Sequence, residues 1–174
     1  MGRMILVCGL SGVGKTTLIK QFKEKQEYEN WKVISVDDIY QTYDPNRKNK
    51  FMVWIKFFQE INMAMENNED VILETSALTY ADRTQFVTWF PNFSAHYMIY
   101  VNTLDEELRF KNNQYRNRVI PTEVLKNQKN LLQAPDKEDL ELWDVIVKVY
   151  NRNNHFYLFG NDIMVKPGRE LFNA

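Results

Sequence analysis

The chain is poor in several things, and each shortage excludes something. Cys8 is the single cysteine among 174 residues. No intrachain disulfide can form, which fits a reducing compartment. Cys8 closes an apolar run and reads as a buried small hydrophobe, because free cysteine is usually buried and inert. Excess charge is missing too: the formal net charge is −1. No global field draws the chain to nucleic acid or to a membrane, so a nucleic-acid role requires a local basic patch. Neither a long apolar leader nor an 18-residue apolar stretch occurs, so neither a signal peptide nor a membrane span is expected. A cytoplasmic protein without a membrane partner is the default expectation. No repeat, low-complexity tract or linker interrupts residues 1–174, which predicts one domain. A domain of that size buries about 70% of the surface its unfolded chain exposes. The 44% hydrophobic content is enough to fill such a core.

What is present begins with "CGLSGVGKTTL", Cys8 to Leu18. Gly9 to Thr16 fit G-x-x-x-x-G-K-[ST], with Thr17 following. Gly9, Gly12 and Gly14 let backbone N–H groups point at phosphate oxygens without Cβ clashes, and Ser11 and Val13 complete the loop. The helix that starts there adds its positive end. Lys15 is expected on the β- and γ-phosphates of a nucleotide, Thr16 on Mg²⁺, and Thr17 on the α-phosphate. The flanks agree with the motif. "MILVC" (Met4–Cys8) suits a strand buried on both faces. "KTTLIKQFKEK" (Lys15–Lys25) has helical composition.

Further strands are predicted at Trp31–Val36, Asp70–Ser76, Ala95–Val101 and Asp144–Tyr150. Helices are predicted at Phe51–Asn67, Thr79–Phe90 (stopped by Pro91), Thr103–Arg118 and Pro121–Leu132. The segment "HFYLFGNDIMVKPG" is assigned to no element. Trp54, Trp89 and Trp143 read as core or interface, with the core favoured. Strands alternating with helices predict an α/β fold with a central parallel sheet of about five strands.

Two more absences narrow the use of the phosphate loop. A guanine-reading N-K-x-D and a D-x-x-G switch occur nowhere. A motor ATPase is usually larger. Ligands of such a sheet bind at the carboxyl ends of its strands, and Asp37 and Asp38 follow the second strand. A carboxylate there can take a proton from an attacking hydroxyl. Neighbours on an extended chain face opposite ways, so one of the pair is expected in the site, with Asp37 favoured. Asp38 reads alternatively as the N-cap of the next helix. Glu74, Thr75 and Ser76 end the third strand, where Glu74 can hold Mg²⁺ through water or be a buried acid with a partner. From Arg109 to Lys129 six basic residues face one acid, Glu123. Arg116 or Arg118 there is the candidate for neutralising a phosphoryl group in transit, against an ordinary solvated helix face. Arg47, Lys48 and Lys50 form a smaller cluster.

With these motifs in place, "GLSGVGKTT", "SVDDIYQTY" and "VIPTEVL" make the sequence resemble the phage-type polynucleotide 5′-kinase family from about Met4 to Leu132. The resemblance implies a P-loop kinase fold with a helical lid near residues 105–132. It implies Lys15 and Thr16 on phosphate and Mg²⁺, with ATP as nucleotide donor. It implies Asp37 as the base that activates a DNA or RNA 5′-hydroxyl. The chain departs from that pattern in three places. Tyr40 stands where the family has an arginine that engages the substrate strand. Tyr115 stands at the lid arginine, so that Arg116 or Arg118 must substitute. Thr75-Ser76-Ala77 replaces Asp-Thr-Asn. "GLSGVGKTT" and "TSALTYADR" also resemble gluconate kinases, a reading ranked below the polynucleotide one. Asp38, Tyr40, Glu74, Thr75, Ser76 and Arg83 are the candidate substrate contacts. The expected reaction is phosphoryl transfer from ATP to a hydroxyl, with a polynucleotide 5′ end ranked first. Transfer to a nucleoside, nucleotide or sugar acid comes next, then nucleotide binding without turnover.

Overall fold

The computed structural model describes residues 1–103, 105–116 and 119–168. Five parallel strands form the sheet: β1 (Arg3–Cys8), β2 (Lys32–Ser35), β3 (Val71–Glu74), β4 (Ala95–Thr103) and β5 (Val145–Arg152), in the order β2-β3-β1-β4-β5. The apolar runs are continuous because both faces of the sheet are covered. Met4, Leu6 and Cys8 of β1 enter one core with Leu73, Met98 and Ile146. Ile5 and Val7 enter the other with Ile72, Ile99 and Val149. Helix α1 (Lys15–Lys23) covers the second face with Leu18 and Ile19. The first is covered by α2 (Val36–Tyr43), α3 (Lys50–Glu66) and α4 (Tyr80–Trp89), through Ile39, Phe57, Ile61 and Phe86.

Helices α5 (Glu106–Gln114) and α6 (Thr122–Leu131) follow β4 and lie in the region expected to form the lid. Helix α5 is capped by Asp105, which accepts from Glu107 N at 2.9 Å and Leu108 N at 3.4 Å. It ends at Gln114, so Arg116 lies beyond it rather than on a helix face as expected. The segment left without an element supplies β6 (His155–Tyr157) and β7 (Ile163–Val165). Both pair antiparallel with β5, β6 on its C-terminal half and β7 on its N-terminal half. They close an edge that would otherwise expose unpaired backbone groups.

Two expectations need correction. Asp37 and Asp38 are not on extended chain but in the first turn of α2, one residue after β2 ends at Ser35. Neighbours on a helix diverge by about 100° rather than facing opposite ways, and both acids line the same cleft. The N-cap is Ser35, not Asp38. Trp89 is 55% exposed at the end of α4, whereas Trp143 is fully buried and Trp54 packs at the core margin. Among the described residues no helix is long and apolar enough to cross a membrane.

Candidate active site

The phosphate loop leaves β1 at Cys8 and becomes α1 at Lys15. Gly14 caps the helix with φ 99°, in the left-handed region. A Cβ there would stand 2.3 Å from Asn151 Nδ2. At Gly12, with φ 83°, a Cβ would stand 2.6 Å from the Arg109 carbonyl oxygen. Only glycine fits at these two points. Lys15 folds back and donates from Nζ to the Gly9 and Leu10 carbonyls, each at 2.9 Å. Burial pulls its pKa down, and the Glu74 carboxylate works against that shift.

Neighbouring elements hold the loop from outside. Arg109 of α5 is buried and donates to Ser11 O at 3.2 Å and Leu125 O at 3.1 Å. Asn112 donates to Gly12 O at 2.9 Å, and Asn151 of β5 to Val13 O at 2.8 Å. Gln128 of α6 accepts from Ser11 N at 3.1 Å and donates to Ser11 Oγ at 3.0 Å. Sequence reasoning counted Arg109 only within a basic run and passed over Asn112, Gln128 and Asn151. Nothing local marks them, since each partner lies about a hundred residues away.

The parallel register brings the third strand's acid to the loop. Glu74 pairs with Val7 on one side and Ser35 on the other. It accepts from Thr16 Oγ1 at 2.6 Å. A hydroxyl beside a carboxylate, both hard oxygen donors, fits Mg²⁺, which takes few protein ligands and keeps several waters. Thr16 and Glu74 would hold the ion, Glu74 directly or through water. Among the described residues no group of three or more His, Cys, Asp or Glu side chains forms a metal cluster.

Asp37 faces the loop from α2. One carboxylate oxygen accepts from Arg47 at 2.6 Å, and the other forms an ion pair with Arg116. Burial pushes the Asp37 pKa up, but the Arg116 and Arg47 guanidinium groups outweigh it and hold the carboxyl below its usual value. Asp44 builds the turn that delivers Arg47, accepting from Lys48 N at 2.9 Å and Asn49 N at 2.7 Å. The Arg47 guanidinium lies 4.0 Å from the Tyr40 ring centroid, a cation–π contact. An arginine therefore does stand over position 40, supplied from seven residues further along.

Two clefts meet at Lys15, Asp37, Glu74 and Arg116. One, about 720 Å³, runs over Gly12, Gly14, Thr16 and Thr17 toward Asp38, Asn112 and Tyr115. The other, about 730 Å³, runs past Ser35, Thr75 and Ser76 to Trp54, Phe58 and Phe86. Tyr40 lines both. The arrangement offers a phosphate cradle on one side, an open chamber on the other, and a carboxylate between them.

Arg83 does not join them. It is buried, bonded to Asp139 through Nε at 2.7 Å and Nη2 at 2.9 Å, and it lines neither cleft. The expectation that it touches substrate is corrected: it ties α4 to the segment before β5. Val13 turns its side chain into the core and presents only backbone. Arg118 lies outside the described residues.

The sequence model of the AAA domain family AAA_33 matches residues 4–135. The chain belongs to that family. A search among curated proteins finds no match. Solved structures share the fold. A sugar kinase from Janibacter sp. HTCC2649 is 14% identical, with TM-score 0.61 over 85% of this chain and 86% of its own. A fungal RNA kinase is 14% identical, with TM-score 0.60 over 88% and 78%. Chaetomium thermophilum Kti12, solved with ADP-AlF3, is 17% identical, with TM-score 0.54 over 78% and 82%. At these identities the likeness is one of fold: the chain shares with these kinases an α/β architecture of a mostly parallel central sheet flanked by helices.

Proposed function

We propose that the protein transfers the γ-phosphoryl group of ATP to a hydroxyl, and that the acceptor is the 5′-hydroxyl end of a polynucleotide. The observation that carries the reading is the position of Asp37. It stands where the phosphate-loop cleft and the aromatic chamber meet, within reach of anything bridging them. The acceptor oxygen forms a bond to the γ-phosphorus as the bond to the β-phosphate oxygen breaks. Asp37 receives the hydroxyl proton, and ADP leaves. Backbone N–H groups of the loop and the start of α1 hold the phosphates, with Lys15 released from its two carbonyl partners to join them. Arg116 neutralises charge on the group in transit once it turns from Asp37. Bound Mg²⁺ would supply charge neutralisation between the β- and γ-phosphates.

The polynucleotide acceptor is supported by the chamber's composition. Trp54 and Phe58 offer ring surface to a base, while Arg47, Lys50 and Arg116 offer charge to phosphate. The polar groups of Thr75, Ser76 and Gln85 in the same chamber favour a second reading, a small polyhydroxylated acceptor. Label transfer from ATP with Mg²⁺ to 5′-hydroxyl oligonucleotides, nucleosides and sugar acids separates the two. Transfer to oligonucleotides is expected, and transfer confined to small acceptors would refute the first. Asp37→Asn should lose about 10²–10⁴-fold in rate while still binding ATP. Without turnover on any acceptor, the protein would be a nucleotide-binding module.

A further inference from the structure

We propose that the aromatic wall of the acceptor chamber, formed by Trp54 and Phe58, stacks the terminal nucleobase of the acceptor strand, so that the reaction requires a base on that nucleotide but not a particular one. The inference rests on the polynucleotide reading above. Helix α3 buries Val53, Phe57, Ile61 and Ala64 against the sheet, and Trp54 and Phe58 pack at the margin of that core. Trp54 and Phe58 are each next in sequence to one of these and remain half-buried. They are four residues apart, hence neighbours on one helix face. Their ring centroids are 5.6 Å apart and their planes are tilted by 33°. Both line the chamber.

The lining of the chamber offers what a terminal nucleoside needs. Asp37 and Arg116 line both this chamber and the phosphate-loop cleft, where the hydroxyl must lie to reach the loop. Trp54 and Phe58 line the chamber alone. Room for a sugar remains: at about 730 Å³ the chamber far exceeds what a hydroxymethyl group requires. Arg47 and Lys50 line it as well, as charges for the phosphate of the next nucleotide. Aromatic walls accept any base, because every base has a π-face. Indifference to the identity of the base follows from a wall of this kind.

The test compares two matched 5′-hydroxyl oligonucleotides, one with a base on its terminal sugar and one abasic there. The expected result is kcat/KM about ten-fold or more lower on the abasic end, with the four bases within about three-fold of one another, as stacking strengths imply. Trp54→Ala and Phe58→Ala should bring the base-to-abasic ratio toward one, and Trp54→Phe should keep most of it. A purely structural role for these rings would lower both rates together and leave the ratio unmoved, which would overturn the inference. Equal rates of the unaltered protein on both oligonucleotides would also overturn it, leaving the polynucleotide reading intact. That comparison needs no variant to fold. No transfer to either oligonucleotide, beside transfer to a small acceptor, would refute the polynucleotide reading and this inference with it.

Discussion

Asp139→Asn should damage the protein's stability far more than its chemistry. The Asp139 and Arg83 side chains are 1% and 2% exposed, and two short hydrogen bonds join them. Arg83 further donates to Gln133 O at 2.7 Å, and Asp139 accepts from Asp136 N at 3.1 Å. The amide keeps the shape but removes the negative charge, and the guanidinium stays buried without its counter-ion. Breaking a buried pair from one side costs about 3–5 kcal/mol. At about 2–4 °C per kcal/mol for a chain of this length, Tm should fall by roughly 6–20 °C. Thermal unfolding followed by circular dichroism measures this. Arg83→Met combined with Asp139→Leu should recover most of the loss, because an apolar pair carries no desolvation penalty. A Tm within about 2 °C of the unaltered protein, together with lost phosphoryl transfer, would refute the reasoning and return Arg83 to the substrate.

Lys15→Met should abolish phosphoryl transfer, and measurable label transfer by this variant would displace the site from the loop. Gly14→Ala should abolish nucleotide binding in calorimetry; adding Asn151→Ala removes the clashing amide and should restore part of the thermal stability, though not the left-handed backbone preference. Arg47→Ala should raise the Asp37 pKa toward the ordinary carboxylate value, read by NMR of the side-chain carboxyl. The sign follows from the depressed native value: the charge of Asp37 contributes stability above the unfolded pKa, and that contribution fades as pH falls through the lowered one. The Cys8 thiol, buried and pushed up to about 12, should resist Ellman's reagent until the protein unfolds.

The elements most legible in the sequence were those whose signal is local. "MILVC" followed by the glycine loop and a helical run marks β1, the cradle and α1 within twenty residues. The remaining parallel strands are short apolar runs bounded by turn residues, and they fall where expected. The strand order does not follow from such runs, since nothing in "VILE" says that it lies between β1 and β2. The chemistry at Asp37 was legible as a residue type after a strand, but its place on a helical turn was not. One residue between Ser35 and Asp37 decides whether neighbouring acids diverge by a strand's angle or a helix's. Arg83 looked like a substrate contact because its partner, Asp139, lies 56 positions away in an acidic stretch that reads as surface. The same distance problem hid Gln128 and Asn112. Trp89 carries the composition of a core residue and none of the periodicity that would have shown it facing out.

The fastening of the phosphate loop bears on what nucleotide binding would look like in a calorimeter. Two of the loop's donors already have partners: Ser11 N gives to Gln128, and Lys15 gives to two carbonyls. A nucleotide that recruits either donor exchanges hydrogen bonds there rather than adding them. The lysine must abandon two neutral acceptors for anionic ones, which are stronger partners. Heat released per contact should therefore be smaller than a count of contacts to the phosphates suggests.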